Sequence, residues 1–168
     1  MKELIYCQHD IPKEELRYGF RTSAATGCGW IATYNALRIL GKRVDKRELI
    51  RYYERQLPLV HGNGGTSFWG PAAFFAHHGF SVRMEARRDR FDALAAECPV
   101  CILFYYWRKK WKLGAHFVAL HKTEAGILGY NTYTNSSAPD PYGDSLAEFL
   151  DKRGYFGCVL LGIGEGEG

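Results

Sequence analysis

No stretch of this 168-residue chain is apolar for the length of a membrane span, and the first residues, Met1-Lys2-Glu3-Leu4-Ile5-Tyr6-Cys7-Gln8-His9-Asp10, lack the apolar core of a signal peptide. A cytoplasmic product is the expectation. Proline-rich, serine-rich and repetitive segments are absent as well, so nothing marks a linker. With 46% hydrophobic residues the chain reads as a single domain over 1–168. The five cysteines are an odd count, which argues against a closed disulfide framework and suits reduced thiols. The net charge of +4 is spread along the length and gives no sign of a general polyanion binder.

Three segments carry part of a recognised chemistry and lack the rest. Cys98-Pro99-Val100-Cys101 has redox or zinc-ligand spacing, but no second ligand pair accompanies it, and it enters an apolar strand instead of following one. His61-Gly62-Asn63-Gly64-Gly65-Thr66 is glycine-rich without the lysine of a phosphate loop and reads as a flexible connection. Arg108-Lys109-Lys110-Trp111-Lys112 is the one dense basic cluster; too short to claim nucleic acid by phosphate pairing and base stacking, it reads as a solvated hairpin tip. No metal or cofactor is implied by any of them.

What is present begins at Thr26-Gly27-Cys28-Gly29-Trp30. The residues that follow are apolar except for Thr33, Asn35 and Arg38, which do not share a helical face, so a helix over about 27–40 is expected to be buried nearly all round. Thr26 is the expected N-cap and Gly41 the stop. In a first helical turn the free N–H groups favour thiolate, lowering a cysteine pKa from about 8.5 toward roughly 3.5–7.5. The glycines on either side leave the sulfur open to a substrate carbonyl. By itself a cysteine in an apolar helix is a core residue.

An ordered set changes that reading. Alternation in Ala115-His116-Phe117-Val118-Ala119-Leu120-His121-Lys122 puts His116, Val118 and Leu120 on one strand face. A short turn at Thr123-Glu124-Ala125 leads into Gly126–Thr132. A hairpin of the two brings the start of the first strand beside the end of the second, and so His116 beside Asn131. An asparagine side-chain oxygen can then accept the imidazole N–H and set its tautomer. Cys28, His116 and Asn131 thus point to a thiolate nucleophile, a base and its orienter.

The Gly-Cys-Gly helix entry with Asn35-Ala36-Leu37 further along it, the Ala115–Leu120 strand, and Tyr130-Asn131 fifteen residues after the histidine resemble the papain-like cysteine peptidases. They are most similar to the branch of bacteriocin-processing, double-glycine-cleaving peptidases. The resemblance covers Ile5 to about Ile163 and keeps the family's order of cysteine, histidine, then asparagine or aspartate. It implies Cys28 as nucleophile, His116 as general base and acid, and Asn131 as orienting residue. It also implies an α+β fold, an N-terminal helical subdomain with a buried cysteine helix packed on a C-terminal antiparallel β-sheet, the active site lying in the groove between. Two positions depart from the pattern. Trp30 stands where relatives usually have proline, and Thr22 stands where many place an oxyanion-hole glutamine. Gln8 is the nearest upstream substitute, unless it is an ordinary surface amide, with the Cys28 backbone N–H as the other donor.

The remaining pattern predicts helices over about 46–56 (capped by Asp45), from Thr66 or Ser67 to Gly79, over about 90–97 and near 144–153. Strands are expected at Phe80–Glu85, Val100–Trp107, Ala115–Lys122, Gly126–Thr132 and Tyr155–Ile163. The functional expectation is a cysteine-dependent hydrolase cleaving a peptide or amide bond through a thioester. Acyl or peptidyl transfer by the same thiol and a catalytically inactive papain-like binding module are the alternatives. Its partner is a peptide or small amide substrate, with no specific nucleic acid, no membrane span and no cofactor.

Overall fold

A helix apolar on every side needs neighbours on every side, and α2 (Cys28–Ile39) has them: every residue from Gly29 to Leu37 is buried. The structure, a computed structural model, describes residues 4–12, 16–55 and 66–166. Most of the glycine-rich connection read at His61–Thr66 lies outside them.

Upstream of α2 come a two-residue hairpin, β1 (Arg17–Tyr18) and β2 (Arg21–Thr22), and a single helical turn, α1 (Ser23–Thr26). Thr26 therefore ends α1 instead of capping α2, whose N-cap is Gly27 with no side-chain cap. Downstream, α3 (Lys46–Arg55) starts as expected, with Asp45 Oδ1 accepting the Arg47 and Glu48 N–H groups at 2.9 and 3.0 Å. Helix α4 (Gly70–His77) begins later than Thr66 or Ser67. Pro71 is the reason: in a helix begun at Ser67 its ring would sit past the first turn, where it removes a hydrogen bond and clashes with the preceding carbonyl. At the actual start it lies in the first turn.

There follow β3 (Ser81–Glu85), α5 (Phe91–Glu97), β4 (Val100–Lys109), β5 (Lys112–Thr123), β6 (Gly126–Tyr130), β7 (Asp140–Gly143), α6 (Leu146–Arg153) and β8 (Phe156–Gly164). Strand β7 escapes the sequence pattern because Asp-Pro-Tyr-Gly reads as a turn. It lies at the sheet edge, where a proline costs little. The sheet is antiparallel throughout, in the order β3-β8-β4-β5-β6-β7. Its two faces read out the period of two on β4. Ile102 and Phe104 join Phe117 and Leu161 in the core beneath α2, α3 and α4. Cys101, Leu103 and Tyr105 join Val118 and Leu120 in a second core beneath α5 and α6. This is the α+β arrangement of a papain-like fold, a buried cysteine helix packed on an antiparallel sheet.

The basic cluster forms the turn between β4 and β5, where Lys109 pairs with Lys112 across Lys110 and Trp111. Lys110 adopts a positive φ of 53°, and Trp111 is fully exposed. No helix among the described residues is long and apolar enough to cross a membrane.

Candidate active site

The N-terminal segment is tied down first. Asn35, wholly buried in α2, takes both backbone groups of Ile5: the Ile5 N–H donates to Oδ1 at 2.9 Å, and Nδ2 donates to the Ile5 carbonyl at 2.8 Å. Cys7 Sγ donates to the Thr134 carbonyl at 3.2 Å. The chain then makes a single 3₁₀ turn at Gln8–Asp10, which brings Gln8 to Asn131. The Gln8 N–H donates to Asn131 Oδ1 at 2.7 Å, and Asn131 Nδ2 donates to Gln8 Oε1 at 3.2 Å. Gln8 Nε2 donates to the Ala24 carbonyl on α1 at 2.9 Å.

His116 joins the same chain of bonds, though not through the Asn131 side chain. Its Nε2 lies 2.6 Å from the Asn131 carbonyl oxygen. The expected side-chain contact is absent because β6 ends at Tyr130 and Asn131 turns into the left-handed region at φ 65°, which points its amide at Gln8. A carbonyl only accepts, so Nε2 carries the proton and Nδ1 of the neutral ring keeps its lone pair. Burial lowers the His116 pKa and His9 lowers it further, against the Asn131 carbonyl, which raises it.

Cys28 enters from α2. Its sulfur faces the backbone N–H groups of Phe117, Gly29 and Cys28 itself, which favour thiolate, but burial outweighs them and holds the thiol above its ordinary value. The low pKa expected of a helix start is overturned by that desolvation. The glycines beside it are also required by packing. A Cβ on Gly27 would come within 2.5 Å of the Ser23 carbonyl, and one on Gly29 within 2.3 Å of Thr66. Trp30 has a comparable role: fully buried, its Nε1 donates to Ser23 Oγ at 3.2 Å and pins α1 to α2.

The structure thus joins Gln8, Asn131 and His116 directly and sets the Cys28 sulfur against Phe117, the next residue along β5 from the histidine. Among the described residues no hydrogen bond joins the sulfur to the ring. His116, Asn131, Gln8 and His9 line a groove of about 680 Å³ that Arg108, Lys109 and Arg153 also border, and Cys28 is not among its lining residues. A second cleft of about 720 Å³, between α3 and α4 at Tyr52, Phe74, His77 and His78, holds none of the candidate site residues. Two neighbours of the site escape sequence reasoning. His9 faces His116, and Tyr18 lies close enough to Cys28 for their charges to interact, its hydroxyl accepting from Thr66 Oγ1 at 3.2 Å. Neither carries a motif; the 3₁₀ turn and the β1–β2 hairpin place them.

A cysteine helix packed on an antiparallel sheet that carries a histidine defines the class: the fold of a papain-like peptidase domain. Among solved structures the chain is similar to the peptidase domain of Streptococcus ComA, described as a bifunctional ABC transporter involved in a quorum-sensing pathway. The TM-score is 0.55 at 11% sequence identity, over 82% of this chain and 90% of that one. No family model matches the sequence, and no curated protein does.

Proposed function

We propose that the chain is a cysteine-dependent hydrolase that cleaves a peptide or amide bond through a thioester formed on Cys28, acting as one domain. The single observation that carries this reading is the bond from His116 Nε2 to the Asn131 carbonyl. It fixes the tautomer whose Nδ1 can take a proton from a thiol, on the residue next to the one whose N–H the Cys28 sulfur faces.

In this mechanism the substrate carbonyl is attacked by Cys28 as His116 Nδ1 accepts the thiol proton, which it then returns to the leaving amine. Water attacks the thioester in the second half, again with His116 as base. The Cys28 backbone N–H and the second N–H of Gln8 Nε2, beyond the one held by Ala24, are the oxyanion donors. Asn131 acts twice, its carbonyl holding the imidazole and its amide holding Gln8. The likeness to a peptidase domain favours a peptide substrate. Arg108, Lys109 and Arg153 in the groove favour one with an acidic segment. Transfer of the acyl group to an amine uses the same steps with a different acceptor. The binding-module reading has one observation of its own: the Cys28 sulfur lies by the Phe117 N–H, and Cys28 is not among the residues that line the groove.

The test is incubation with peptide libraries, with product sequencing and trapping by peptide aldehydes. Cleavage that is lost in Cys28→Ala and His116→Ala, with aldehyde adducts on Cys28, is the expected result. An intact fold that binds acidic peptides in the groove and never cleaves one would establish the binding module.

A further inference from the structure

Cys98 and Cys101 of the Cys98-Pro99-Val100-Cys101 segment lie under α5, on the opposite sheet face from α2, and take no part in the site above. Cys98 closes α5, its N–H still bonded to the Leu94 carbonyl at 3.1 Å, and Cys101 is the second residue of β4. Both thiols are free, and both point into the same apolar core, where Cys98 is 8% exposed and Cys101 2%. They lie close enough for each to shift the other's titration.

The row of residues across the sheet explains how a cation reaches them. Cys101 on β4 pairs with Gly162 on β8, and Gly162 pairs with Arg83 on the edge strand β3. Gly162 is a gap in that row, filled by sulfur: a Cβ there would come within 2.5 Å of Cys98 Sγ. Arg83 Nη2 donates to Cys98 Sγ at 3.2 Å, while Nη1 donates to Glu97 Oε2 at 2.5 Å, which steadies the guanidinium. With the Arg83 side chain 52% exposed, Cys98 stands one side chain from solvent.

We propose that Cys98 and Cys101 form a dithiol–disulfide exchange site for small disulfides of the glutathione class, with Cys98 as attacking sulfur, Arg83 as its cationic partner and Cys101 as resolving thiol. The Cys98 thiolate attacks one sulfur of the small disulfide, forming a mixed disulfide and releasing one small thiolate. Cys101 gives its proton to that thiolate, attacks the Cys98 sulfur and expels the second thiolate, which takes a proton from Arg83-side solvent. Two protein thiols are oxidised to one disulfide as one small disulfide is reduced to two thiols. The order of attack follows from the surroundings. The Cys101 thiol and Arg83 hold Cys98 well below the ordinary thiol range, whereas the neighbouring Cys98 and burial hold Cys101 above it. No third ligand accompanies the pair, since no group of three His, Cys, Asp or Glu comes together among the described residues. This inference is independent of whether Cys28 supports hydrolysis.

The full chain is equilibrated at pH 7 in a series of reduced and oxidised glutathione mixtures, quenched in acid, and its tryptic peptides are weighed; both cysteines fall in the fragment 91–108. That fragment is expected to lose two hydrogens along a two-electron titration curve. In Cys101→Ser, one glutathionyl group is expected to remain on Cys98. Arg83→Gln should slow capture of Cys98 by iodoacetamide at pH 6 by about tenfold, with Arg83→Lys recovering most of the rate. A wild-type fragment that keeps both thiols at every ratio overturns the proposal without recourse to any variant. So does a Cys101→Ser adduct found on Cys7, Cys28 or Cys158 in place of Cys98.

Discussion

Burial acts in opposite directions on Cys28 and His116, raising the thiol and lowering the imidazole, so both are neutral at pH 7 in the free protein. Thiolate at Cys28 is then scarce at neutral pH. Its alkylation by iodoacetamide should climb about tenfold per pH unit from pH 6 to 8, read by mass-resolved labelling. A rate that is flat across that range would mean a thiolate–imidazolium pair instead. Gln8 separates nucleophile from oxyanion donor: Gln8→Ala should reduce peptide turnover by about 10²–10³-fold while leaving that alkylation curve in place. At Asn131, alanine and glycine both remove the amide that holds Gln8, but only alanine is strained at φ 65°. Asn131→Ala should therefore be less stable than Asn131→Gly by about 1 kcal/mol in urea denaturation. It should also retain less turnover, because the bond that orients His116 is made by the backbone.

Among the elements, those with a strong period or a cap are legible in the sequence. The apolar run after Cys28, the Asp45 cap and the alternation around Val118 each correspond to an observed element, within a residue or two at most ends. Elements made by long-range contact are not legible. The two residues each of β1 and β2 have no period to show, and β7 hides in a turn-forming composition. The candidate site divides the same way. The ends of a hairpin bring His116 to Asn131, which local pattern foretells. The left-handed turn of Asn131 and the docking of Gln8 depend on the Asn35–Ile5 bonds and on residues more than a hundred positions apart. The glycines around Cys28 have a packing role that the sequence does not show, since the atoms a Cβ would meet belong to Ser23 and Thr66. Gly29→Ala would drive a Cβ into Thr66, and we expect a loss of about 1–3 kcal/mol, measured as a lower urea midpoint.

For the whole molecule the lowered pKa of His116 couples folding to pH. Unfolded, the ring takes a proton near pH 6.5; folded, it does so only at a lower pH. As pH falls below about 6.5 the unfolded state binds the extra proton and stability declines, until the folded pKa is passed and this contribution levels off. Urea midpoints at pH 7, 6 and 5 should show that decline in the wild type and a shallower one in His116→Gln. Beyond Tyr106 on β4 and before Ala119 on β5, the long hairpin has no third strand beside it among the described residues, so its tip stands clear of the sheet next to the candidate groove. That tip carries Trp111 in open water, while Trp30 is sealed in the core. Of the four tryptophans these two mark the extremes of environment, with Trp69 exposed elsewhere and Trp107 half-buried in the groove wall. Trp30 should emit to the blue and ignore iodide, whereas Trp111 should emit to the red and be extinguished by it. A peptide that settles in the groove and reaches the tip would shield Trp107 and Trp111 and leave Trp69 and Trp30 as they were, so occupancy can be followed as the share of emission withdrawn from iodide, without attaching any label.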